Sequence, residues 1–175
     1  ERSVQSVTLA NGQQVQTDAL LIGGENLEAF AGVNGPYLID GEVNPDAVGL
    51  TLSDLDFGLA LLNTRSDEQA LPGLSWTTVQ AEAGTAGLVG VDALTATASN
   101  VSVGVNLVNG VGAAGDPADL VVDFANADTN IVIPTGTETE RTLDLDGSFG
   151  ELLRVSGDFE LGVADFFHVG GSLGF

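Results

Sequence analysis

Carboxylates are the one chemically capable group this chain carries in quantity: 25 Asp and Glu stand against 4 Arg and no Lys, with 1 His and no Cys. They gather in three places. The segment GAAGDPADLVVDFANADTN holds Asp116, Asp119, Asp123, Asn126, Asp128 and Asn130; LDLDG holds Asp144 and Asp146; LSDLDFG holds Asp54 and Asp56. Hard cations take six to eight oxygen ligands from carboxylates, backbone carbonyls and Asn side chains, and turns rich in Asp, Asn and Gly supply them. Calcium is therefore the cofactor these segments suggest, with Asp116, Asp119, Asp123, Asn126, Asp128, Asp144, Asp146, Asp54 and Asp56 as candidate ligands. None of the three matches an EF-hand loop or the nonapeptide of calcium-binding β-rolls. The competing reading is solubilising charge that blunts the edges of a sheet.

Catalysis finds little to work with. His168 lies in ADFFHVGG between Phe167 and Val169, a setting for a histidine on a sheet face, and no G-x-S-x-G elbow accompanies the many Ser and Asp. Zinc would need His or Cys clusters that are missing, and a phosphate loop would need a lysine. Asp54 with Asp56, or Asp144 with Asp146, are carboxylate pairs of the type glycosidases use, yet acidic residues two apart on one strand face suit a solvated or calcium-binding edge better. No catalytic residue is expected. An enzyme on a β-helix, acting on polysaccharide, is the weakest reading, because only Arg2, Arg65, Arg141 and Arg154 are available beside the carboxylates. A carbohydrate-binding module would need an aromatic platform, for which Trp76, Tyr37 and Phe30 are the candidates.

A formal net charge of -21 on 17.8 kDa repels nucleic acid and anionic lipid. Neither is an expected partner, and no apolar run is long enough to span a membrane. The charge also opposes compaction, but screening shortens its range to about 8 Å at physiological ionic strength and about 3 Å at 1 M. With a hydrophobic fraction of 43 %, the chain is unlike an acidic disordered tail. It should fold, in a salty or calcium-containing medium.

The elements that must position these groups are strands. Apolar residues alternate with polar or small ones at Val4 to Leu9, Ala19 to Ile22, Tyr37 to Ile39, Val48 to Leu62, Ser75 to Ala83, Leu88 to Ala98, Val101 to Val108, Leu120 to Phe124, Asn130 to Ile133, Arg141 to Leu145 and a C-terminal pair. Leu55, Phe57, Leu59 and Leu61 share a face opposite Asp54, Asp56, Gly58 and Ala60. In the last stretch Leu153, Val155, Phe159, Leu161 and Val163 oppose Arg154, Ser156, Asp158, Glu160 and Gly162. Turn signals punctuate the runs, among them Asn11-Gly12, Asp40-Gly41 and Asn109-Gly110. One helical turn each is allowed at Glu25 to Ala31 and Arg65 to Leu71. The pattern predicts an all-β fold with almost no helix, an elongated β-solenoid-like form or rolled sheet, with a β-sandwich as the alternative. Residues 1–175 are expected to form one module.

The strings WTTVQAEAGTAGLVGVDALTATASNVSVGVN, LLRVSGDFELGVADFFHVGGSLGF and LLIGGENLEAFAGVNGPYL resemble the modules of giant, highly repetitive secreted or surface proteins of aquatic bacteria. The resemblance covers about half the chain and rests on strand and Gly patterns. It implies a structural or adhesive tandem module, extracellular or on the cell surface, and carries over no catalytic residue. The strand pattern also runs into Phe175 without a closing turn, and GGSLGF followed by ERSVQSVTL reads as continuous strand. The expected partners are therefore copies of the chain itself, joined end to end between Phe175 and Glu1 of the next copy, with a carbohydrate or cell-surface ligand as a further partner.

Overall fold

The computed structural model describes residues 2–67, 71–110, 115–164 and 166–175. The fold is all-β, 64 % strand against 4 % helix. In chain order the strands are β1 (Arg2–Thr8), β2 (Gln14–Val33), β3 (Leu38–Ile39), β4 (Glu42–Val43), β5 (Val48–Thr64), β6 (Ser75–Val89), β7 (Leu94–Asn109), β8 (Val132–Pro134), β9 (Glu140–Thr142), β10 (Leu152–Val163) and β11 (Phe167–Gly174). One helical turn, α1 (Pro117–Leu120), and a 3-10 turn at Gly147–Phe149 complete them. Seven strands form one large antiparallel sheet in the order β1-β2-β5-β6-β7-β10-β11, and β3-β4 and β8-β9 are separate hairpins. Sheet neighbours follow chain order, with the β3–β4 hairpin between β2 and β5 and the segment holding α1, β8 and β9 between β7 and β10. Two Asn-Gly or Asp-Gly signals act as expected: Gly12 (φ 82°) turns β1 into β2, and Asp40 (φ 53°) with Gly41 (φ 85°) turns β3 into β4, the doubly positive φ that a two-residue hairpin loop requires.

The chain divides into two compact units, Glu1–Glu25 with Phe57–Ala81 and Val103–Arg154, and Asn26–Asp56 with Glu82–Ser102 and Val155–Phe175. Strands β2, β5, β6, β7 and β10 contribute residues to both. Asn26, Asp54 and Asn100 lie inside long strands with φ of 52°, 52° and 53°. Only a short polar side chain takes that left-handed conformation readily, and each residue stands close in sequence to the passage from one unit to the other.

The first unit holds the hydrophobic core. Val7, Val15, Ala19, Leu21, Ala60, Leu62, Trp76 and Val108 from the sheet meet Leu120, Val121, Val122, Phe124, Ile131, Ile133, Leu143 and Leu145 from the covering segment. The rows of large residues at 55–61 and 101–107 are not the ones that face it. Gly58, Ala60 and Leu62 of β5 and Gly104, Asn106 and Val108 of β7 are buried instead. The reason is size: a Cβ on Gly58 would stand 3.1 Å from Ile133 Cδ1 and 3.3 Å from Leu143 Cδ2, and one on Gly104 would stand 3.3 Å from Leu145 Cδ2. Bulk arrives from the cover, so the sheet beneath it must be small.

Two large polar side chains inside this core are paired, while the buried Thr8 Oγ1 has no partner among the described residues. Trp76 Nε1 donates to the Leu120 carbonyl at 2.7 Å, and Asn106 Nδ2 donates to the Val122 carbonyl at 2.7 Å, two bonds that tie sheet to cover. The segment Leu120 to Phe124, expected as a strand, forms only an isolated bridge between Leu9 and Val122, because Asp116 caps α1 by accepting from Ala118 N and the helical turn consumes its start. Glu25 to Ala31, allowed one helical turn, is strand within β2. Of Arg65 to Leu71, residues 68–70 lie outside the described residues and the described part is turn.

Among the described residues the second unit contributes none to that core cluster, and Ala47 and Ala83 are its buried apolar residues. Its apolar side chains stay largely open: Leu50 57 %, Leu173 59 % and Phe175 70 % exposed. Leu143→Ala should therefore cost about 2–5 kcal/mol through the cavity it leaves, whereas Leu173→Ala should stay within about 0.5 kcal/mol. Urea unfolding followed by far-UV circular dichroism distinguishes the two.

Candidate functional site

In the β10–β11 ribbon, every residue of β11 is exposed. Its register pairs Ser156 with Gly174 through Val163 with Phe167, and one further pair follows, with Val155 and Phe175 each donating N–H to the other's carbonyl at 3.0 Å. In an antiparallel ladder such doubly bonded pairs alternate with pairs whose main-chain groups point away. Odd-numbered residues of β11 therefore bond to β10. His168, Gly170, Ser172 and Gly174 turn their N–H and C=O outward, and since β11 neighbours β10 alone, that row lies on an open edge.

The same alternation sorts the side chains. Val155, Phe159, Leu161 and Val163 share a face with Phe167, Val169, Leu173 and Phe175. An apolar niche of about 110 Å³ opens on it, lined by Val101, Val155, Gly157, Phe159 and Leu173 among others. Asp158, Glu160, Gly170 and Ser172 take the opposite face, where a cavity of about 690 Å³ is lined by hydroxyl-bearing residues of β5, β6 and β7 and by Tyr37.

At the other end of the sheet β1 is the edge. Thr8 N donates to Thr129 Oγ1 at 2.8 Å and the Thr8 carbonyl accepts from Asp123 N at 2.8 Å, so Thr8 faces away from β2 and is already covered. By alternation Arg2, Val4 and Ser6 turn their main-chain groups the same way.

Of the nine residues expected to hold calcium, five accept a backbone N–H on their side chains. Asp116 Oδ1 accepts from Ala118 N, and Asp123 Oδ1 accepts from Ala125 N and from Gly147 N at 3.0 Å. Asn126 Oδ1 accepts from Asp128 N, Asp146 Oδ1 from Ser148 N and Asp56 Oδ1 from Asn26 N at 2.7 Å. Asp144 exchanges two hydrogen bonds with Gln80. Asp54 sits at a positive φ, its Oδ2 in the space a Cβ on Gly84 would take. Asp119 lies in α1, where its carbonyl accepts from Asn11 N, and Asp128 is exposed. Among the described residues no three His, Cys, Asp or Glu side chains gather as a metal site. Asp116, Asp123, Asn126 and Asp146 each accept from the backbone N–H two residues on, the local capping that short polar side chains make.

Of the aromatic candidates, Trp76 is buried in the core of the first unit. Phe30 and Tyr37 stack in the second, with ring centroids 6.5 Å apart and planes at 19°. His168 is exposed on the open edge. The sequence reading did not single out Asp158, whose Oδ1 accepts from Ser172 Oγ at 2.6 Å and whose Oδ2 accepts from Asn100 Nδ2 at 3.0 Å. Its polar row was visible in the period-2 pattern, but which strands would flank it was not. Those two bonds, the one from Ser172 first, hold its carboxyl below the ordinary value of 3.8.

No family model, no curated protein and no solved structure matches this chain. Among the described residues no helix is long and apolar enough to cross a membrane.

A carboxyl with a depressed native pKa adds stability that is complete above its unfolded pKa and is lost as pH falls through the folded one. The deficit of Asp158→Ala relative to the parent chain should be constant from about pH 8 to about pH 5 and shrink below about pH 4. Urea midpoints of the two proteins across that range measure it, and a deficit that persists at low pH would mean the charged form is not what holds the three strands.

Proposed function

We propose that this chain is a non-enzymatic structural module of an extracellular filament or giant repetitive surface protein, whose copies join edge to edge by strand addition. The observation that carries the reading is the β11 edge, four residues with outward main-chain groups beside an exposed apolar row ending in Leu173 and Phe175. Natural sheets usually blunt or cover such edges, and an edge left open is a surface for a further strand. In this reading β11 of one copy meets Arg2, Val4 and Ser6 at the β1 edge of the next. A join between two different edges does not close on itself, so copies extend into a filament.

Burying three or four large side chains at each join contributes on the order of 5–10 kcal/mol before ordering costs are subtracted. The niche beside Leu173 suits one such side chain. The rolled single sheet, rather than a sandwich, is the architecture this reading takes, since seven strands in chain order leave one edge at each end. Charge sets the conditions: copies at -21 repel one another, so association needs salt, and calcium acts as a counter-ion between acidic surfaces rather than in a dedicated cage.

Light scattering and negative-stain microscopy of the 175-residue chain test the proposal. Raising NaCl from about 0.05 M to about 1 M, or adding millimolar calcium, should shift the chain from single copies to linear assemblies. His168→Pro combined with Gly174→Pro removes two outward donors without touching the bonds to β10. That variant should stay monomeric in the same salt while melting as the parent does. A parent chain that remains a monomer in both media would falsify the reading.

A further inference from the structure

We infer that the polar face of the second unit's sheet is a binding groove for a neutral oligosaccharide. This goes beyond edge pairing and rests on the opposite face of the same ribbon. The cavity there, about 690 Å³, has the size of sites that hold small organic ligands. Its lining includes Ser53, Thr97 and Ser172 hydroxyls, the Asp158 and Glu160 carboxylates and the Tyr37 ring.

Three properties of that lining select the ligand. No Arg or His borders the cavity among the described residues, and two carboxylates do, so an anionic ligand would be repelled. The lining is rich in acceptors: the Glu160 carboxylate accepts no side-chain hydrogen bond among the described residues, and each Asp158 oxygen, bonded once to Ser172 or Asn100, keeps a lone pair free. The ligand must bring several O–H or N–H donors without negative charge, which describes a sugar's hydroxyls. Gly170 on the groove side of β11 leaves bare backbone where a flat ring can come close.

The fourth property is preparation. Tyr37 sits on the connection between β2 and β3, where an unrestrained ring would lose much entropy on binding. It is restrained. Asn44 Nδ2 donates to the Asn34 carbonyl at 2.8 Å and to the Pro36 carbonyl at 2.9 Å, Asn44 N donates to the Tyr37 carbonyl at 2.8 Å, and Phe30 stacks on the ring. Asn34 Nδ2 closes the connection from its other side by donating to the Asp46 carbonyl at 3.1 Å. A half-buried aromatic stacked on Phe30, on a connection held by four hydrogen bonds and lining a hydroxyl-rich cavity, is a ready platform for the apolar face of a sugar ring, while the carboxylates take its hydroxyls.

The test is an amide-resolved nuclear magnetic resonance titration of the isotope-labelled 175-residue chain with neutral hexaoses of glucose, mannose, galactose, xylose and N-acetylglucosamine. Hexagalacturonate and calcium chloride, each added alone, are the comparisons. At least one neutral hexaose at roughly 10 mM, which saturates a site with a Kd of about 1 mM, should shift amides at 51–53, 85–89, 97–99, 158–160 and 170–172. Tyr37→Ala should weaken that binding about tenfold or more, and Glu160→Gln, which keeps an acceptor oxygen, should change it less than Glu160→Ala. Hexagalacturonate should leave those amides unmoved. The parent chain's shift map stands without any variant, so a variant that fails to fold does not decide the question. The inference is overturned if no neutral hexaose moves the groove amides, if the shifts map elsewhere, or if calcium alone reproduces them and Asp158→Asn abolishes them, which would make the groove a cation site.

Discussion

Ile133 and Leu143 rest on Gly58, and Leu145 rests on Gly104. This match of bulk above with absence below is the contact on which the rest of the molecule depends. A sheet whose inner face carried large side chains would hold its cover away and leave voids, and protein interiors do not tolerate voids. Because the cover brings the volume, the sheet beneath it is Gly58, Ala60, Gly104 and Asn106, with Trp76 and Leu62 filling what remains. Asn106 belongs in that row only because its amide is met by the Val122 carbonyl; unpaired, the same group would cost about 1–3 kcal/mol.

Cover of this kind exists in the first unit alone. Strands β2, β5, β6, β7 and β10 also contribute residues to the second, where no apolar cluster of comparable size is buried among the described residues. There the fold is held by ladder hydrogen bonds and by polar ties such as Asp158 to Ser172 and Asn100, and Asp56 to the Asn26 amide. A sheet of this construction keeps one apolar face and one polar face available. The edge-pairing and saccharide-binding readings each use one of these, and so make no competing demand on the same side chains.

Much of this was legible in the chain. Strand periodicity announced the all-β class, Asn11-Gly12 and Asp40-Gly41 announced hairpin turns, and the alternation of Val155, Phe159 and Leu161 with Asp158 and Glu160 described the two faces of β10 correctly. Other expectations met physical obstacles. The stretch Glu25 to Ala31 has strong helix formers, yet pairing within β2 overrode their local preference, which is a weak force beside a sheet ladder. In the acidic segments Asp and Asn serve either as cation ligands or as caps of backbone amides, and sequence spacing does not separate those two uses.

What the sequence determined by itself was therefore what depends on near neighbours: strand class, turn positions, the net charge of -21 and the two-faced character of each strand. Tertiary structure decided which face each strand buries. In β5 the large residues Leu59 and Leu61 point away from the core while Gly58 and Ala60 point into it, since the volume needed there is set by Ile133 and Leu143, more than seventy residues later in the chain. It also decided that Tyr37, Ser53, Thr97 and Asp158 share one cavity. A period of two tells which side chains lie on a common face of one strand, but only the order and register of the strands brings residues so far apart in the chain to the same place.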